Sequence, residues 1–237
     1  MGKLSDEVLG SKLELTTEGC FMGLVTLNRP DAMNPLSWST VKKMRAVMND
    51  LAADPSVRVI AVTGAGKAFS AGGDLKGYLK LQHDEVDFWA FLEDFHGLCN
   101  YIQFEAPKPV IALVNGVSAA GGTEILLACD FAYAAESARI GDAHLNFGQM
   151  GGGGTLTRMP RAILPNHARE ILFTAKFFTA VECLRWGLVN RVLPDGELLK
   201  AGLEFANLVA TKSPLAGKNM KHVANRGLMM RFEDSIA

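Results

Sequence analysis

The sequence predicts an α/β fold in which a mixed part of strands and helices is followed by a helical C-terminal part. Near-continuous apolar runs at 57–63 and 109–114 are typical of parallel strands that are covered on both faces. The 237 residues, 49% of them hydrophobic, are enough for one domain with a sizeable core. We expect a core over 1–176 and a C-terminal helical region over 177–237, which together form one functional unit.

Composition and charge disfavour several classes of protein. The formal net charge of −1 offers no basic excess for general nucleic-acid binding. No apolar run reaches the ~18 residues of a membrane span, and the N-terminus lacks the apolar core of a signal peptide. The cysteines are scattered without a C-x-x-C pair, which favours reduced, mostly buried thiols over a metal site. A cytoplasmic protein without a bound metal is therefore expected.

The first predicted elements are a hairpin and a helix. Residues 12–17 alternate apolar and polar side chains, and 21–27 form a second run with strand character, so the two are expected to pair. A helix is predicted over 40–52, where apolar residues recur on one face. Ser37 or Ser39 is the candidate N-cap of this helix.

A glycine-rich segment at 64–76 follows the strand at 57–63, and its residues 71–74 are expected to form a loop. Its spacing does not fit a phosphate-binding P-loop. Such a loop ending at Gly66-Lys67 requires glycine in place of Ala61 and a hydroxyl residue in place of Ala68. Nucleotide hydrolysis is therefore disfavoured.

The second half of the chain predicts one long aromatic helix and then several shorter elements. Residues 85–104 are expected to form that helix, with its aromatic side chains mainly in the core. The glycine run at 151–154 is expected to be a flexible loop that enters a helix. Short strands are expected at 131–134, 138–141 and 189–194, and helices at 165–175, 179–187, 196–211 and 214–228.

The stretch 115–130 carries the clearest chemical signal. A buried strand breaks into a small-residue turn and then into an apolar helix, and such a junction leaves backbone N–H groups free to bind an anion. Glu124 lies just inside the helix, where the dipole favours a carboxylate among apolar neighbours. Anion-binding amides beside a carboxylate suit enolate or acyl chemistry. The alternative is that the glycines only allow close packing of helix and strand.

Five motifs, taken together and in order, resemble the crotonase (enoyl-CoA hydratase/isomerase) superfamily. The resemblance covers residues 12–225, nearly the whole chain. The motifs are Asn28-Arg-Pro-Asp-Ala-Met-Asn34, Ala68-Phe-Ser-Ala-Gly-Gly-Asp-Leu75, Asn115-Gly to Gly-Gly-Thr-Glu124, Gly-Gly-Thr-Leu-Thr-Arg158 and Ala180-Val-Glu-Cys-Leu-Arg-Trp-Gly-Leu-Val-Asn190.

The resemblance implies a fold, a substrate class and an assembly. The fold is a crotonase-type spiral of ββα units with a C-terminal helical trimerisation region, which agrees with the α/β pattern above. Members bind acyl-CoA thioesters and stabilise a thioester enolate with two backbone N–H groups. Coenzyme A enters as part of the substrate, no tightly bound cofactor is expected, and a homotrimer or a dimer of trimers is implied.

Carried over residue by residue, the resemblance assigns four catalytic positions. The two backbone amides that form the oxyanion hole belong to Gly73 and Gly121, where glycine lets the backbone approach the thioester oxygen. Glu124 matches one of the two glutamates that act as general acid and base. His144 stands where the second glutamate is expected, and an imidazole with an ordinary pKa of about 6.5 is able to move a proton at neutral pH. A structural His144 held by Asp142 is the alternative.

The same carry-over predicts a substrate-binding loop. Lys67 and Lys76 flank the first amide and resemble residues that approach CoA phosphates, although both also fit a solvated surface. Asp74 is expected to order the loop more than to take part in chemistry. The predicted substrate- and CoA-binding residues are Lys67, Ala71, Asp74, Leu75 and Lys76.

Three hypotheses about function follow. The first is an enoyl-CoA hydratase or isomerase. The second, motivated by His144, is a hydrolase of the same superfamily that cleaves a thioester or a C–C bond of a β-dicarbonyl compound. The third is a non-catalytic assembly or binding subunit on the same scaffold, which the missing second glutamate favours.

Overall fold

The structure, a computed structural model, describes residues 6–81 and 83–235. Residues 1–5, on which the expectation about a signal peptide partly rests, lie outside the described residues. In chain order the elements are β1 (Val8–Glu14), β2 (Phe21–Leu27), α1 (Trp38–Ala53), β3 (Val57–Gly64), β4 (Ala68–Ser70), α2 (Leu75–Leu81), α3 (Glu85–Asn100), β5 (Val110–Val114), β6 (Val117–Ala119), α4 (Gly121–Ala128), β7 (Phe131–Ala135), β8 (Arg139–Gly141), α5 (Thr155–Ala162), α6 (Pro165–Thr174), β9 (Phe178–Thr179), α7 (Ala180–Trp186), β10 (Arg191–Leu193), α8 (Leu198–Ala210), α9 (Pro214–Gly227) and α10 (Phe232–Ser235).

The strands form two sheets. The larger sheet has the order β1-β2-β3-β5-β7-β10, and the smaller one has the order β4-β6-β8-β9. From β3 to β8 the chain places one strand in each sheet and then runs through helices before it returns, as in β5, β6 and α4. This repetition of ββα units confirms the predicted fold class.

The N-terminal hairpin is confirmed, but the predicted bounds of its first strand are wrong. β1 pairs with β2 antiparallel, with Val8 opposite Leu27 and Glu14 opposite Phe21. The strand therefore covers 8–14 instead of 12–17. The hydrogen bond from the N–H of Leu15 to the carbonyl of Cys20 (2.9 Å) closes the ladder in the same register, and residues 16–19 form the turn.

The apolar runs that predicted the parallel strands do form the centre of the larger sheet. β3 pairs in parallel with both β2 and β5, and Ile60 and Ile111 are fully buried. Burial on both faces explains why these strands are apolar throughout instead of alternating between apolar and polar residues. Helix α1 begins at Trp38, and Ser37 is the N-cap, since its side chain accepts a hydrogen bond from the N–H of Thr40.

No strand was predicted at β4, β6 or β9, and no helix was predicted at α2. The strands β4 and β6 have three residues each and pair with one another in the smaller sheet, so they are too short to show a period of two. Helix α2 follows the glycine run, and the Asp74 side chain accepts a hydrogen bond from the N–H of Gly77 in its first turn. The predicted loop at 71–74 is confirmed, since these residues connect β4 to α2.

The aromatic helix α3 ends differently from the prediction. It is regular up to Asn100 and continues as one π turn over Tyr101–Glu105, a wide form that is frequent near functional sites. Its aromatic face is only partly core, since Phe91 and Phe95 are buried whereas Trp89 is 59% exposed.

The C-terminal region packs against the mixed part and also contributes strands β9 and β10 to the two sheets. Gly202 of α8 faces the Leu113 side chain of β5 so closely that a Cβ there would lie 3.0 Å from a Leu113 methyl carbon. On α9, the buried Lys221 ammonium pairs with Asp130 at 2.9 Å and donates to the carbonyl of Ile102. These contacts join the last helices to the core.

The expectation of mostly buried thiols is confirmed. Cys99, Cys129 and Cys183 are buried, Cys20 is half-buried, and all four are free thiols. Within residues 6–81 and 83–235, no helix is both long and apolar enough to cross a membrane.

Helix α7 begins with a capping box, which makes its stability testable. The Thr179 hydroxyl accepts a hydrogen bond from the N–H of Glu182 (3.2 Å), and the Glu182 carboxylate accepts one from the N–H of Thr179 (2.7 Å). We expect Thr179→Ala to lower the free energy of unfolding by about 0.5–2 kcal/mol, measured by urea unfolding. Ser11→Ala, which removes an exposed hydroxyl, is the control. Equal midpoints for the two variants would contradict the prediction.

Candidate active site

A cavity of about 400 Å³ opens where α2, α3, the start of α4 and the loop after β8 meet. Its wall on the α3 side is apolar and includes Phe88, Phe91 and Phe95. Glu124 and His144 line the same cavity and supply a carboxyl group and an imidazole. The cavity therefore combines an apolar wall with two groups that are able to transfer protons.

Glu124 occupies the first turn of α4 and is 1% exposed. Its Oε1 accepts a hydrogen bond from the N–H of Thr155 at 3.1 Å. Burial raises the pKa of the Glu124 carboxyl, and this effect outweighs the opposing effects of His144 and the Thr155 amide. A carboxyl group with a raised pKa in a cavity is suited to general acid and base chemistry.

His144 begins a short 3₁₀ turn over His144–Phe147 and is 9% exposed. Its Nδ1 lies 2.9 Å from the Asp142 carboxylate, and its Nε2 lies 3.8 Å from Oε2 of Glu124. Burial acts to lower the pKa of His144, but the hydrogen bond to Asp142 and the charge of Glu124 outweigh it and raise that pKa. Asp142 thus favours the imidazolium and fixes which nitrogen faces Glu124.

The amides of Gly73 and Gly121 both line the cavity. Leu36 bonds to the residues on either side of Gly73, through the Gly72 carbonyl (2.8 Å) and the N–H of Asp74 (3.2 Å). Gly121 is the first residue of α4, so its N–H has no acceptor within the helix. Among the residues that the structure describes, neither amide has a protein acceptor.

Both positions are too crowded for a larger residue. A Cβ at Gly73 would collide with the ring of Tyr78, and one at Gly121 would lie 2.9 Å from a methyl carbon of Leu36. Ala120, the residue before Gly121, has φ +45°. Residues other than glycine rarely adopt this backbone conformation, which costs on the order of 1–3 kcal/mol. The tight turn between β6 and α4 therefore fixes the direction of the Gly121 amide.

The structure does not bring the predicted substrate-binding residues together. Ala71 and Leu75 line the cavity beside Gly73. Asp74 pairs with Arg29 at 3.0 Å and caps α2, as expected of a residue that orders its loop. Lys76 is exposed on α2, and Lys67 lines a separate cavity of about 620 Å³ at the carboxyl ends of β3 and β5. The two lysines are thus not brought to one cavity.

The glycine run at 151–154 packs on Glu124, a role that the sequence did not indicate. A Cβ at Gly151 would lie 2.5 Å from Oε1 of Glu124, and one at Gly153 would lie 3.0 Å from its Cδ. Arg158 on α5 donates a hydrogen bond to the Gly153 carbonyl and another from Nε to the Gln103 side chain at 2.8 Å. The absence of side chains in this run allows the backbone to cover the carboxylate.

Two groups at the site have no counterpart among the sequence predictions: the amide of Thr155 and the side chain of Tyr78. The Thr155 amide follows the glycine run at 151–154, and no sequence pattern indicates which group accepts its hydrogen bond. Tyr78 belongs to a helix that was not predicted. The sequence signal for it is the spacing of four residues from Asp74, which places two residues on the same face of a helix.

Comparison with known proteins agrees with the geometry. Residues 20–237 match the Enoyl-CoA hydratase/isomerase family. The chain is 35% identical to a short-chain-enoyl-CoA hydratase of Clostridium acetobutylicum over 91% of its own length and 82% of that protein. It is also 35% identical to a carnitinyl-CoA dehydratase of Escherichia coli O157:H7, over 97% of this chain and 86% of that protein.

A solved structure resembles this one closely. The crystal structure of an enoyl-CoA hydratase from Bacillus anthracis has a TM-score of 0.89 and 29% sequence identity, and the match covers 97% of this chain and 86% of that one. The fold and the cavity thus define an α/β enzyme with the crotonase fold. The chain belongs to the enoyl-CoA hydratase/isomerase family.

Proposed function

We propose that this protein hydrates the C2–C3 double bond of an enoyl-CoA thioester, or shifts that bond, through an enolate. One observation carries the proposal: Glu124 and His144 converge at 3.8 Å in the cavity that also presents the unpaired amides of Gly73 and Gly121. Such a set contains the two proton-transfer groups and the two hydrogen-bond donors that enolate chemistry requires.

In the proposed hydration, the Glu124 carboxylate accepts a proton from water while the water oxygen bonds to C3. The electron pair of the double bond moves onto the thioester oxygen, where the amides of Gly73 and Gly121 stabilise it. The His144 imidazolium then donates its proton to C2. A proton passes from Glu124 to His144 across the short gap between them and restores the starting state. Every step uses side chains, backbone and substrate.

Asp142 gives this scheme a test by pH. Because its hydrogen bond raises the pKa of His144, we expect Asp142→Asn to lower that pKa. The protonated, proton-donating form is then lost at a lower pH, so the alkaline limb of the kcat/KM profile moves toward acid. Profiles of the two enzymes over the same buffers measure the shift. Unmoved limbs would contradict the role of His144 as the acid.

The function itself is tested with purified protein and two substrates, crotonyl-CoA and a longer 2-enoyl-CoA. Loss of the absorbance of the conjugated thioester, with a 3-hydroxyacyl-CoA identified by mass, is the expected result. Binding of both thioesters with no product of hydration or isomerisation would overturn the proposal and favour the non-catalytic binding subunit.

A hydrolase is the second candidate, and one observation favours it. The hydrogen bond that Nδ1 of His144 donates to the Asp142 carboxylate (2.9 Å) is the arrangement by which a carboxylate orients an imidazole that activates water. A panel of β-diketones and saturated acyl-CoA thioesters separates the candidates. Release of an acid or of free CoA, while crotonyl-CoA is left unchanged, would favour hydrolysis.

We also propose a homotrimer or a dimer of trimers, with residues 177–237 as the region that contacts the neighbouring copy. Support comes from exposed apolar side chains on and after α9, which are costly to leave in water. They include Leu215, Met220, Val223, Leu228 and Met229. Light scattering that finds a stable monomer would refute the assembly. We also propose a cytoplasmic location, on the basis of family membership.

A further inference from the structure

Tyr78 lies beside one of the two amides that are proposed to hold the thioester oxygen. It belongs to α2, lines the cavity, and packs on Phe91 with ring centroids 4.9 Å apart. Its ring fills the space next to Gly73, and its hydroxyl oxygen lies 2.6 Å from the point where a Gly73 Cβ would be. The phenol is therefore close to the Gly73 backbone.

The Tyr78 hydroxyl is a hydrogen-bond donor without a protein partner. Among residues 6–81 and 83–235, no group forms a hydrogen bond with it. Burial, together with the nearby carboxylates of Glu124 and Asp74, raises the pKa of Tyr78, so the phenol keeps its proton. A protonated hydroxyl in a cavity is suited to stabilise negative charge that develops there.

Packing alone does not account for a tyrosine at this position. The contact with Phe91 uses the ring, and a phenylalanine would make that contact equally well. The hydroxyl adds a polar group that lines the cavity and that the described protein groups leave without a partner, so a ligand in the cavity is able to accept its hydrogen bond.

We propose that Tyr78 is a further catalytic residue, whose hydroxyl donates a third hydrogen bond to the thioester oxygen as that oxygen becomes an enolate. The inference rests on the proposed function. An enolate oxygen accepts up to three hydrogen bonds, and the amides of Gly73 and Gly121 supply two. The proton stays on Tyr78 throughout, so no additional reactant is needed.

Tyr78→Phe tests the inference, with Tyr133→Phe as the matched control. Tyr133 is a buried tyrosine of β7 that packs on Phe131 and is not among the cavity-lining residues. We expect Tyr78→Phe to reduce kcat/KM for crotonyl-CoA by about 10- to 100-fold, as fits one hydrogen bond to a developing charge. Tyr133→Phe is expected to leave it unchanged, and thermal unfolding of both checks that they are folded.

Binding of acetoacetyl-CoA supplies a readout that does not require turnover. A β-keto thioester ionises to an enolate with a strong near-ultraviolet absorption, so the spectrum reports how well the site stabilises that charge. We expect the wild type to show the band and Tyr78→Phe to weaken it, while the affinity for the saturated butyryl-CoA stays the same. An unchanged band in Tyr78→Phe would overturn the inference.

The two assays separate the inference from the proposed function. If the wild type forms the enolate but neither hydrates nor isomerises any enoyl-CoA, the proposed function fails, and the band in Tyr78→Phe still decides the role of Tyr78. If the wild type binds acetoacetyl-CoA without the band, both fail. Equal loss of affinity for butyryl-CoA and for acetoacetyl-CoA would assign Tyr78 to general binding and overturn its role at the enolate.

Discussion

Glu124→Gln is expected to lower kcat for crotonyl-CoA by about 10²–10⁴-fold, the range that a positioned proton-transfer group typically contributes. The amide of glutamine has nearly the shape of the carboxyl group and is able to keep the hydrogen bond from the N–H of Thr155. It lacks the basicity needed to take a proton from water. The change therefore removes proton transfer while it preserves the packing under the glycine run at 151–154.

Steady-state kinetics with a short and a long enoyl-CoA measure this effect. Glu170→Gln, on the exposed face of α6, is the control for the loss of one carboxylate. Equal turnover in Glu124→Gln and the wild type, with both substrates, would remove Glu124 from the mechanism.

Glu124→Gln is expected to lower activity but to raise the free energy of unfolding relative to the wild type as pH rises from acid to neutral. The folded-state pKa of Glu124 is raised above its ordinary value of 4.5, so the contribution of this group to stability is largest below that value. It is lost as pH rises through the folded-state pKa, because the buried carboxylate is then charged. Glutamine has no such loss, and the stability of Glu124→Gln relative to the wild type is expected to increase between acid and neutral pH.

Gly73→Ala is expected to have the second-largest effect, a loss of about 10²–10³-fold in kcat, similar to the loss of one oxyanion donor. A Cβ at this position collides with the Tyr78 ring. Since the ring is packed on Phe91, we expect the backbone at residue 73 to move and its amide to leave the thioester oxygen. The effect should appear mainly in kcat, because the enolate depends on that amide more than the bound substrate does.

Gly77→Ala is the matched control for this change. It introduces the same methyl group four residues later, where the nearest atom lies 3.6 Å away on the Asp74 side chain. Alanine also has a higher helix propensity than glycine, so α2 is expected to be slightly stabilised. Similar kinetics for the two variants would show that the crowding at Gly73 is not important for catalysis.

The sequence was sufficient for the larger sheet and insufficient for the smaller one. Strands such as β3 are long and buried on both faces, so their composition alone distinguishes them. β4 and β6 have three residues each and gain their hydrogen bonds from one another across about fifty positions of sequence, a pairing that local patterns do not contain. Helix α2 was missed because it follows directly on a glycine-rich turn and has a glycine inside it.

At the site, the sequence predicted those groups whose role is visible within one short segment of the chain. Glu124 was recognised because a carboxylate at the start of an apolar helix is unusual within the segment itself. Its environment comes from elsewhere: His144 and Tyr78 line the same cavity, and the amide of Thr155 donates a hydrogen bond to its carboxylate, each from a separate element. Their distances from Glu124 depend on how the two sheets are stacked, which no local period specifies.

The π turn at Tyr101–Glu105 gives this protein a short chain of hydrogen bonds between its last long helix and Glu124, the carboxylate proposed to transfer protons. Gln103 in that turn accepts a hydrogen bond from Asn225 of α9 on its backbone carbonyl (2.7 Å) and one from Arg158 on its side chain (2.8 Å). Arg158 in turn holds the carbonyl of Gly153, against which Glu124 packs. Three hydrogen bonds therefore connect α9 to the loop that covers Glu124.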